Sequence, residues 1–492
     1  MSRFAATFCS PALICCGVTC ALTASATAES WHQWRGPQRD GVAHDSPALL
    51  EALPASGLKP LWVSSDIDNA KSGGWSSPVV ADGRVYLFTH KKFRLGSAKL
   101  GRGKFPYLPP EKRVGMSEEE YAEYEKNRRD EQEARARAYR FSETIYCLDA
   151  SNGKQIWKNE TDSRYTRFSQ SGSPAIADGK LYVLGAGRIA RCVNIADGKN
   201  VWSEALPGEF RDQFLQSSFA VADGLAFVVC DRLFALDAGS GKVVWSAGGE
   251  KSRAAHTSPV LWRNQVIANI DGKHTIGCDI RTGKELWRVV SEAGHSTPVV
   301  SGDKLITYGS SRKRGLRCFQ LSGEGAEHLW TYNGAADPGS SPVALNGHIY
   351  VQGERRLACV DIATGKAKWM TQLNLNRPRY TSLIAADGKL IYAFDGVIYF
   401  DSSPDKFRML ANGRINRAGV LAEEDYFREQ LQIDKLETSA EGQREAEKIW
   451  RKEIEQAGPL PCATPAIAGG LMYLRLKDGL VCYDLRARQP AR

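Results

Sequence analysis

Histidine and cysteine side chains are the groups of this chain that most readily suggest metal chemistry. His256, His295 and Cys462 are of metal-binding types, yet they lie far apart along the chain and no C-x-x-C pair accompanies them. A metal site would need all three side chains to converge in the folded protein. We therefore expect no metal site.

Motifs for nucleophilic or acid–base catalysis are also missing. The sequence contains neither a G-x-S-x-G elbow, which exposes a serine nucleophile on a sharp turn, nor the H-E-x-x-H spacing, which places two zinc ligands on one helix face. A hydrolase is thus poorly supported. We assign no catalytic residue from the sequence.

Basic residues recur in four segments that each precede an apolar run. These residues are Arg164, Arg167, Arg211, Lys251, Arg253, Arg377 and Arg379. Arginine forks suit carboxylates and phosphates, and a cleft with one sign of charge attracts the opposite sign. The pattern favours an anionic ligand, and arginines that only face water are the alternative.

The elements that must position these residues form an internal repeat. An Asp-type residue, a Gly-Lys pair and a Trp return at intervals of 41–45 residues. Clear copies are Asp149/Gly153/Trp157, Asn194/Gly198/Trp202, Asp237/Gly241/Trp245, Asp279/Gly283/Trp287 and Asp361/Gly365/Trp369. A carboxylate before a tight turn accepts hydrogen bonds from the turn, and Trp fills gaps between sheets. We therefore assign both to the scaffold.

A second motif alternates with the first and occurs eight times. It runs from a small residue and Pro through apolar residues and a tight turn into a strand, as in residues 77–86 (SPVVADGRVY). Asp-Gly between apolar runs is a hairpin signal. Each unit therefore has four short antiparallel strands, which we call A to D from the inside outward. Units of this length are propeller blades, so the sequence predicts an all-β, eight-bladed β-propeller.

The two ends of the chain are expected to share one blade. The last unit has no fourth strand after Asp484, whereas residues 58–63 (LKPLWV) form an isolated strand that carries the repeat Trp. We predict that this N-terminal strand completes the last blade and closes the ring, because an open inner edge would otherwise remain.

Strand A lines the channel of a propeller, so the residue three positions before its Pro is expected to face the channel mouth. In blade order these residues are Trp75, Ser171, Gln216, His256, His295, Gly339, Tyr380 and Cys462. They vary more than the rest of the repeat. We predict a ligand-binding site made of Trp75, Gln216, His256, His295 and Tyr380, together with Arg167, Arg211, Arg253 and Arg379 from the loops.

The repeat resembles that of the pyrroloquinoline-quinone (PQQ) type β-propellers. This group includes the quinoprotein alcohol dehydrogenases and the propeller lipoprotein of the outer-membrane β-barrel assembly machine. Residues 31–42 (WHQWRGPQRDGV) resemble the start of secreted members of the group. The resemblance covers nearly all of residues 31–488, and it implies a fold more than an activity.

Two classes of function follow from the resemblance. We favour a noncatalytic propeller of the cell envelope that binds a ligand or a protein partner or scaffolds an assembly. The alternative is a PQQ-dependent oxidoreductase, in which PQQ and calcium lie beneath two adjacent, disulfide-bonded cysteines. The one adjacent pair of this chain is Cys15-Cys16, close to its start. We therefore expect no cofactor, with PQQ plus calcium as the alternative.

The first 28 residues have the pattern of a cleavable secretory signal. Arg3 precedes a mostly apolar run, and Ala26-Thr27-Ala28 is an A-x-A site. We predict cleavage after Ala28 and a periplasmic or secreted protein without a transmembrane segment. Eight of the 12 cysteines follow this signal. Equivalent strand positions in stacked sheets lie about 10 Å apart, too far for disulfides, so we expect free buried thiols.

Composition and charge exclude several other classes. With 42% hydrophobic and 25% charged residues, the chain is globular, and its net charge of +9 is scattered, which does not favour nucleic acid. We expect a monomer whose partner is an anionic small molecule or an envelope protein. Two insertions, residues 90–142 and 403–460, interrupt the repeat, and Ser117 with Glu120 forms a capping box that starts a helix in the first. They are either solvated decoration or partner-docking arms.

Overall fold

Eight antiparallel sheets make up the protein. A computed structural model describes residues 30–65, 67, 73–97, 100–211, 213, 215–249, 256–375 and 378–487. The predicted signal of residues 1–28 lies outside the described residues. Each sheet is hydrogen bonded in order from an inner strand A to an outer strand D. The predicted eight-bladed β-propeller is confirmed.

The strands of the first four blades follow one another along the chain. They are β3 (Val79–Ala81), β4 (Arg84–Arg94), β5 (Tyr139–Asp149) and β6 (Gln155–Asp162) in blade 1; β7 (Ala175–Ala177), β8 (Lys180–Gly185), β9 (Ile189–Asn194) and β10 (Asn200–Ala205) in blade 2; β11 (Ala220–Ala222), β12 (Leu225–Val229), β13 (Leu233–Asp237) and β14 (Val243–Ala247) in blade 3; and β15 (Val260–Trp262), β16 (Gln265–Asn269), β17 (His274–Asp279) and β18 (Glu285–Val290) in blade 4.

The other four blades include two strands from the N-terminal region. They are β19 (Val299–Ser301), β20 (Lys304–Tyr308), β21 (Leu316–Leu321) and β22 (Ala326–Tyr332) in blade 5; β23 (Val343–Leu345), β24 (His348–Gly353), β25 (Arg356–Asp361) and β26 (Ala367–Gln372) in blade 6; β1 (Val42–Ala43), β27 (Ile384–Ala386), β28 (Lys389–Ala393), β29 (Val397–Asp401), β30 (Met409–Ile415) and β31 (Leu421–Glu423) in blade 7; and β2 (Trp62–Ser64), β32 (Ala466–Ala468), β33 (Leu471–Leu476) and β34 (Gly479–Asp484) in blade 8.

Helices occur in both predicted insertions. The described helices are α1 (Glu118–Ala136), α2 (Glu424–Gln430), α3 (Ile433–Leu436) and α4 (Ala440–Trp450), with a 3-10 turn at Pro110–Lys112 and a π turn at Arg451–Glu455. The Ser117–Glu120 capping box is present at the start of α1. Strands β4 and β5 stay paired as far as Arg94 and Tyr139, inside the predicted first insertion. Strand β30 lies inside the predicted second insertion and is the fourth strand of blade 7.

The N-terminal strand β2 closes the ring as predicted. It pairs antiparallel with β34, with Trp62 opposite Cys482. The Trp62 indole also donates a hydrogen bond to the Ala150 carbonyl of blade 1 at 2.9 Å, and its ring lies where a Cβ on Gly153 would be. One side chain therefore joins blade 8 to blade 1.

The same contact explains the repeated Gly and Trp of the first motif. The Trp157 ring covers Gly198 of the next blade, and its indole donates to the Ile195 carbonyl at 3.1 Å. A Cβ at Gly198 would lie 2.5 Å from that ring. The turn therefore requires glycine, and Trp62, Trp202, Trp245 and Trp330 make the same contact with the turn glycine of the neighbouring blade. Trp287 differs, because its indole donates to Gln265 of its own blade at 2.8 Å.

Residues 31–43, which we call the channel segment, cross the centre of the ring. Trp31 exchanges two backbone hydrogen bonds with Val80 of blade 1, and Val42–Ala43 pair in parallel with the inner strand of blade 7. Between them, the buried guanidinium groups of Arg35 and Arg39 donate to backbone carbonyls of blades 6 and 7 and of blade 3, respectively. The channel is therefore filled by the chain itself at this end.

Thiols fill the same position in several blades. All eight cysteines of the described residues are free, and all but Cys462 are buried. Burial raises the pKa of these thiols, for instance to about 12 in Cys278. Within the described ranges, the structure contains no helix that is both long and apolar enough to span a membrane.

Candidate functional site

A cavity of about 360 Å³ lies in the central channel, where residues that precede the inner strands surround it. Its lining is aromatic and hydroxyl-rich, and consists of Trp34, Trp75, Ser77, Phe168, Ser171, Ser173, Gln216, Ser218, His256, Ser258, His295, Thr297, Gly339, Tyr380 and Cys462. All eight positions predicted to face the channel mouth lie in this lining. The equivalence of the eight A strands therefore holds in three dimensions.

A belt of hydroxyl groups runs around the channel below these positions, and five of its members line the cavity: Ser77, Ser173, Ser218, Ser258 and Thr297. In seven of the blades the Ser or Thr before the Pro-type position accepts a hydrogen bond from the backbone N–H of its equivalent in a neighbouring blade. The described links are Ser77 to Ser173, Ser173 to Ser218, Ser218 to Ser258, Ser258 to Thr297, Thr297 to Ser341, Ser341 to Ser382, and Thr464 to Ser77, at 2.8–3.1 Å. The belt joins the blades and leaves hydroxyl protons available to a ligand.

Trp34 of the channel segment forms the inner end of the cavity. Its indole Nε1 donates to Thr464 Oγ1 of the belt at 3.1 Å, and the guanidinium of Arg35 lies over its ring, 5.7 Å from the centroid. Sequence reasoning missed Trp34 because it lies outside the repeat. The motif of residues 31–42 is the feature of the sequence that marks it.

Two uncharged imidazoles lie side by side in the cavity wall. The rings of His256 and His295 are 4.5 Å apart between centroids, with their planes tilted by 60°. Burial, with a smaller repulsion from His295, lowers the pKa of His256 to about 3, and burial also lowers the pKa of His295. Neutral imidazoles can donate and accept hydrogen bonds without adding charge.

The opposite wall is held in a strained backbone conformation. Tyr380 and Cys462 both have positive φ angles, 59° and 72°. The buried carboxylate of Asp337 accepts hydrogen bonds from the N–H groups of Gly339, Ser340 and Tyr380. A Cβ at Gly339 would lie 2.4 Å from the Tyr380 ring. Strain of this kind is common at binding sites, where surrounding contacts hold it in place.

The predicted loop arginines do not converge on the cavity. Arg167 lines a neighbouring cleft, and Arg211 forms ion pairs with Asp130 and Glu133 of α1, the latter at 2.7 Å. Arg379 is exposed, and only its carbonyl approaches the site, as an acceptor for the Cys462 thiol at 3.7 Å. Arg253 lies outside the described residues. None of the lining residues that the structure describes is charged, and this part of the lining suits an uncharged group.

The donor set of the cavity does not fit calcium. Calcium takes six to eight oxygen ligands, usually with carboxylates among them. The described lining includes neither Asp nor Glu. Asp337 is not among the lining residues: its Oδ1 accepts three backbone hydrogen bonds, and its Oδ2 is buried without a hydrogen-bond partner among the described residues. Over the residues that the structure describes, no three His, Cys, Asp or Glu side chains are grouped as metal ligands would be.

The fold and the repeat define a propeller of the PQQ type, and comparison with known families agrees. The sequence model of the family described as "Outer membrane protein assembly factor BamB" matches residues 142–371 and 272–408. Together these ranges span more than half of the chain. The protein therefore belongs to this family.

One curated protein resembles part of the chain in sequence. The serine/threonine-protein kinase AfsK of Streptomyces coelicolor is 28% identical over 153 residues, which are 30% of this chain and 17% of the kinase. The match thus spans less than a fifth of that relative.

Solved structures that resemble the protein do so at low sequence identity. A europium-containing methanol dehydrogenase has a TM-score of 0.53 at 11% identity, over 81% of this chain and 88% of its own. The quinohemoprotein alcohol dehydrogenase ADHIIG of Pseudomonas putida HK5 has a TM-score of 0.51 at 12% identity, and the match covers 94% of this chain and 82% of the dehydrogenase. BamB of Moraxella catarrhalis has a TM-score of 0.49 at 12% identity, and the match covers 69% of this chain and 90% of BamB. At these identities the likeness shows the fold alone.

The stability of the protein is expected to fall in mild acid because of His256. Its pKa is about 3 in the folded state against 6.5 ordinarily. Below about pH 6.5, the His256 imidazole is therefore protonated in the unfolded chain but stays neutral in the folded protein. The free energy of unfolding falls as the pH drops through this range. When the pH is lowered from about 7 to about 5, the free energy of unfolding should decrease in both proteins. The decrease should be smaller in His256→Gln than in the wild type, by up to about 2 kcal/mol. Urea unfolding at the two pH values measures the difference.

The control is His328→Gln, which changes an exposed histidine on the outer strand β22. This variant should keep the pH dependence of the wild type. An unaltered pH dependence in His256→Gln would contradict the assignment of the acid sensitivity to the buried imidazole.

Proposed function

We propose that this protein is a noncatalytic binding propeller whose channel cavity takes an uncharged, flat or apolar group, either a small molecule or a side chain of a protein partner. The observation that carries the proposal is the lining itself. Trp34, Trp75, Phe168 and Tyr380 provide aromatic surface, and hydroxyl and imidazole groups provide hydrogen bonds. Apolar pockets with a few polar groups are typical ligand sites, and this cavity lies within their usual range of about 300–1,000 Å³.

The predicted anionic ligand is supported less well at this position than an uncharged one. An anion in the cavity would lose its hydration and meet neutral side chains, because burial keeps His256 and His295 uncharged at neutral pH. PQQ-dependent oxidation is the alternative function, and the lack of a calcium donor set in the described lining speaks against it.

The cell envelope is the proposed location. Two observations support it: the signal-like pattern of residues 1–28, and membership of a family named for an outer-membrane assembly factor. Fractionation of cells and N-terminal sequencing of the purified protein test it. We expect a periplasmic or secreted chain that begins at Glu29, and a cytoplasmic chain that retains Met1 would contradict it.

Binding of neutral aromatic probes tests the cavity. Menadione and indole are expected to bind the wild type, as measured by calorimetry, and Ser171→Phe should weaken binding at least about tenfold by filling the cavity. The matched control is Ser246→Phe, which adds the same side chain on the exposed outer strand β14. It should bind as the wild type does.

Three results would overturn the proposal. The first is unchanged binding by Ser171→Phe, which would move the site elsewhere. The second is the absence of binding by either probe up to its solubility. The third is alcohol-dependent reduction of a dye after PQQ and calcium are added to the purified protein, because it would show an enzyme.

A further inference from the structure

A second, larger space lies beside the cavity, between helix α1 and the outer ends of strands β4 and β5. This cleft has a volume of about 690 Å³ and meets the cavity at Trp75 and Phe168, which line both. Its other lining residues come from β4, β5, α1 and the loop after β6. They are His90, Lys92, Arg94, Leu100, Arg128, Gln132, Arg135, Ala136, Tyr139, Phe141, Tyr165, Thr166, Arg167 and Ser169.

Two different elements direct basic side chains into this cleft. On β4, Lys92 and Arg94 are two residues apart and therefore point to the same face of the strand. On α1, Arg128 and Arg135 are seven residues apart, which is two helical turns, and they too share a face. Arg167 adds a fifth cation from the loop. Cations thus line both walls.

Carboxylates are absent from the described lining of the cleft, although α1 is rich in them. The acids of α1 serve to hold the helix in place: Glu131 accepts hydrogen bonds from the backbone of Lys104 and Phe105, and Asp130 and Glu133 pair with Arg211. Glu125, which is not a lining residue, pairs with Arg128 at 3.0 Å, and Glu131 lies on the same side of the helix as Arg128 and Arg135. Arg128 and Arg135 are the charged residues that α1 contributes to the described lining of the cleft.

This arrangement has an electrostatic cost that an anion would remove. Like charges that face each other across a partly enclosed space repel, and low-dielectric walls concentrate their field. The Lys92 ammonium lies over the Tyr139 ring, 4.9 Å from its centroid, which keeps this charge at the cleft. Arg128 Nε and Gln132 Oε1 are buried without a hydrogen-bond partner among the described residues.

We propose that this cleft is a binding site for a polyanionic small molecule that carries two or more phosphate or carboxylate groups. The five basic side chains supply the charge, and the volume is that of a small-molecule site rather than of a nucleic-acid groove. Arginine forks bind either group in a bidentate manner. The inference does not depend on the function proposed for the cavity.

Titration calorimetry of the full chain with tripolyphosphate and with benzene-1,3,5-tricarboxylate tests the site and distinguishes the two chemistries. At low salt at least one of these probes should bind, and about 0.5 M NaCl should weaken binding because exposed charges are then screened. Lys92→Gln with Arg94→Gln should weaken binding at least about tenfold. Both side chains are exposed on β4, so the double variant should fold.

The matched control is Lys199→Gln with Arg281→Gln, which removes the same two charges from exposed turns of blades 2 and 4. It should bind as the wild type does. Equal weakening in both double variants would show attraction by net charge alone and would overturn the proposal. Failure of both probes to bind the wild type at low salt would overturn it as well.

Discussion

Replacing Trp62 with alanine is expected to lower the free energy of unfolding by about 3–5 kcal/mol, the usual cost of removing a buried Trp. The side chain is only 7% exposed. It packs on Gly153 and against Tyr473, with 6.1 Å between the ring centroids, and its indole bonds to Ala150. Its loss opens a cavity where strand β2 of the N-terminal region completes blade 8 and contacts blade 1.

Urea unfolding of Trp62→Ala measures this effect, with Val63→Ala as the matched control. Val63 is the next residue of the same strand β2, yet its side chain faces solvent. The control should change the unfolding free energy by less than about 0.5 kcal/mol. A cost for Trp62→Ala as small as that of the control would mean that closure of the ring contributes little to stability.

Replacing Arg35 with methionine is expected to cost at least about 3 kcal/mol, because several buried carbonyls lose their donor at once. The Arg35 side chain is fully buried. Its guanidinium donates to Ser341 and Leu383 of blades 6 and 7 at 3.0 and 3.3 Å, to the Pro342 carbonyl, and to Asp40 within the channel segment at 2.8 Å. Burial lowers the pKa of Arg35 to about 10, so it remains a cation at neutral pH.

Methionine keeps most of the volume of Arg35 but donates no hydrogen bond, so this variant isolates the polar contribution. The control is Arg317→Met, which removes an exposed guanidinium that also donates to two carbonyls, those of Arg314 and Val290. Those carbonyls can turn to water, and the change should be small. Equal unfolding free energies for the two variants would show that the channel segment is not anchored through Arg35.

Repetition made the fold and the cavity positions predictable. The spacing of Asp, Gly and Trp follows from a contact that recurs between blades. The structure of one repeat unit therefore indicates the structure of the other units. The isolated strand around Trp62 was recognised because it matched a missing unit. His256 and His295 were placed together because equivalent residues of adjacent blades must be neighbours. Local sequence and repeat geometry determined these features.

Segments outside the repeat were decided by tertiary structure alone. Nothing in the sequence around Arg211 indicates its partners, since Asp130 and Glu133 are about 80 residues away and belong to an inserted helix. Arg211 therefore pairs with α1, and of the loop arginines expected at the channel mouth Arg167 lines the cleft instead. Side chains of this length reach whichever opposite charge the fold brings near, and sequence spacing does not encode that.

The channel segment shows the same division most clearly. The sequence of this segment indicated a family, and the repeat indicated a channel. The contacts of Arg35 with Ser341 and Leu383, however, join residues more than 300 positions apart, and no local pattern indicates them. The sequence by itself determined eight blades, their closure and the residues that face the channel mouth, because these depend on periodic local patterns. Only the tertiary structure decided that Trp34 lines the cavity and that the described part of the lining holds no charged residue, because non-repeating segments are placed by long-range hydrogen bonds and ion pairs.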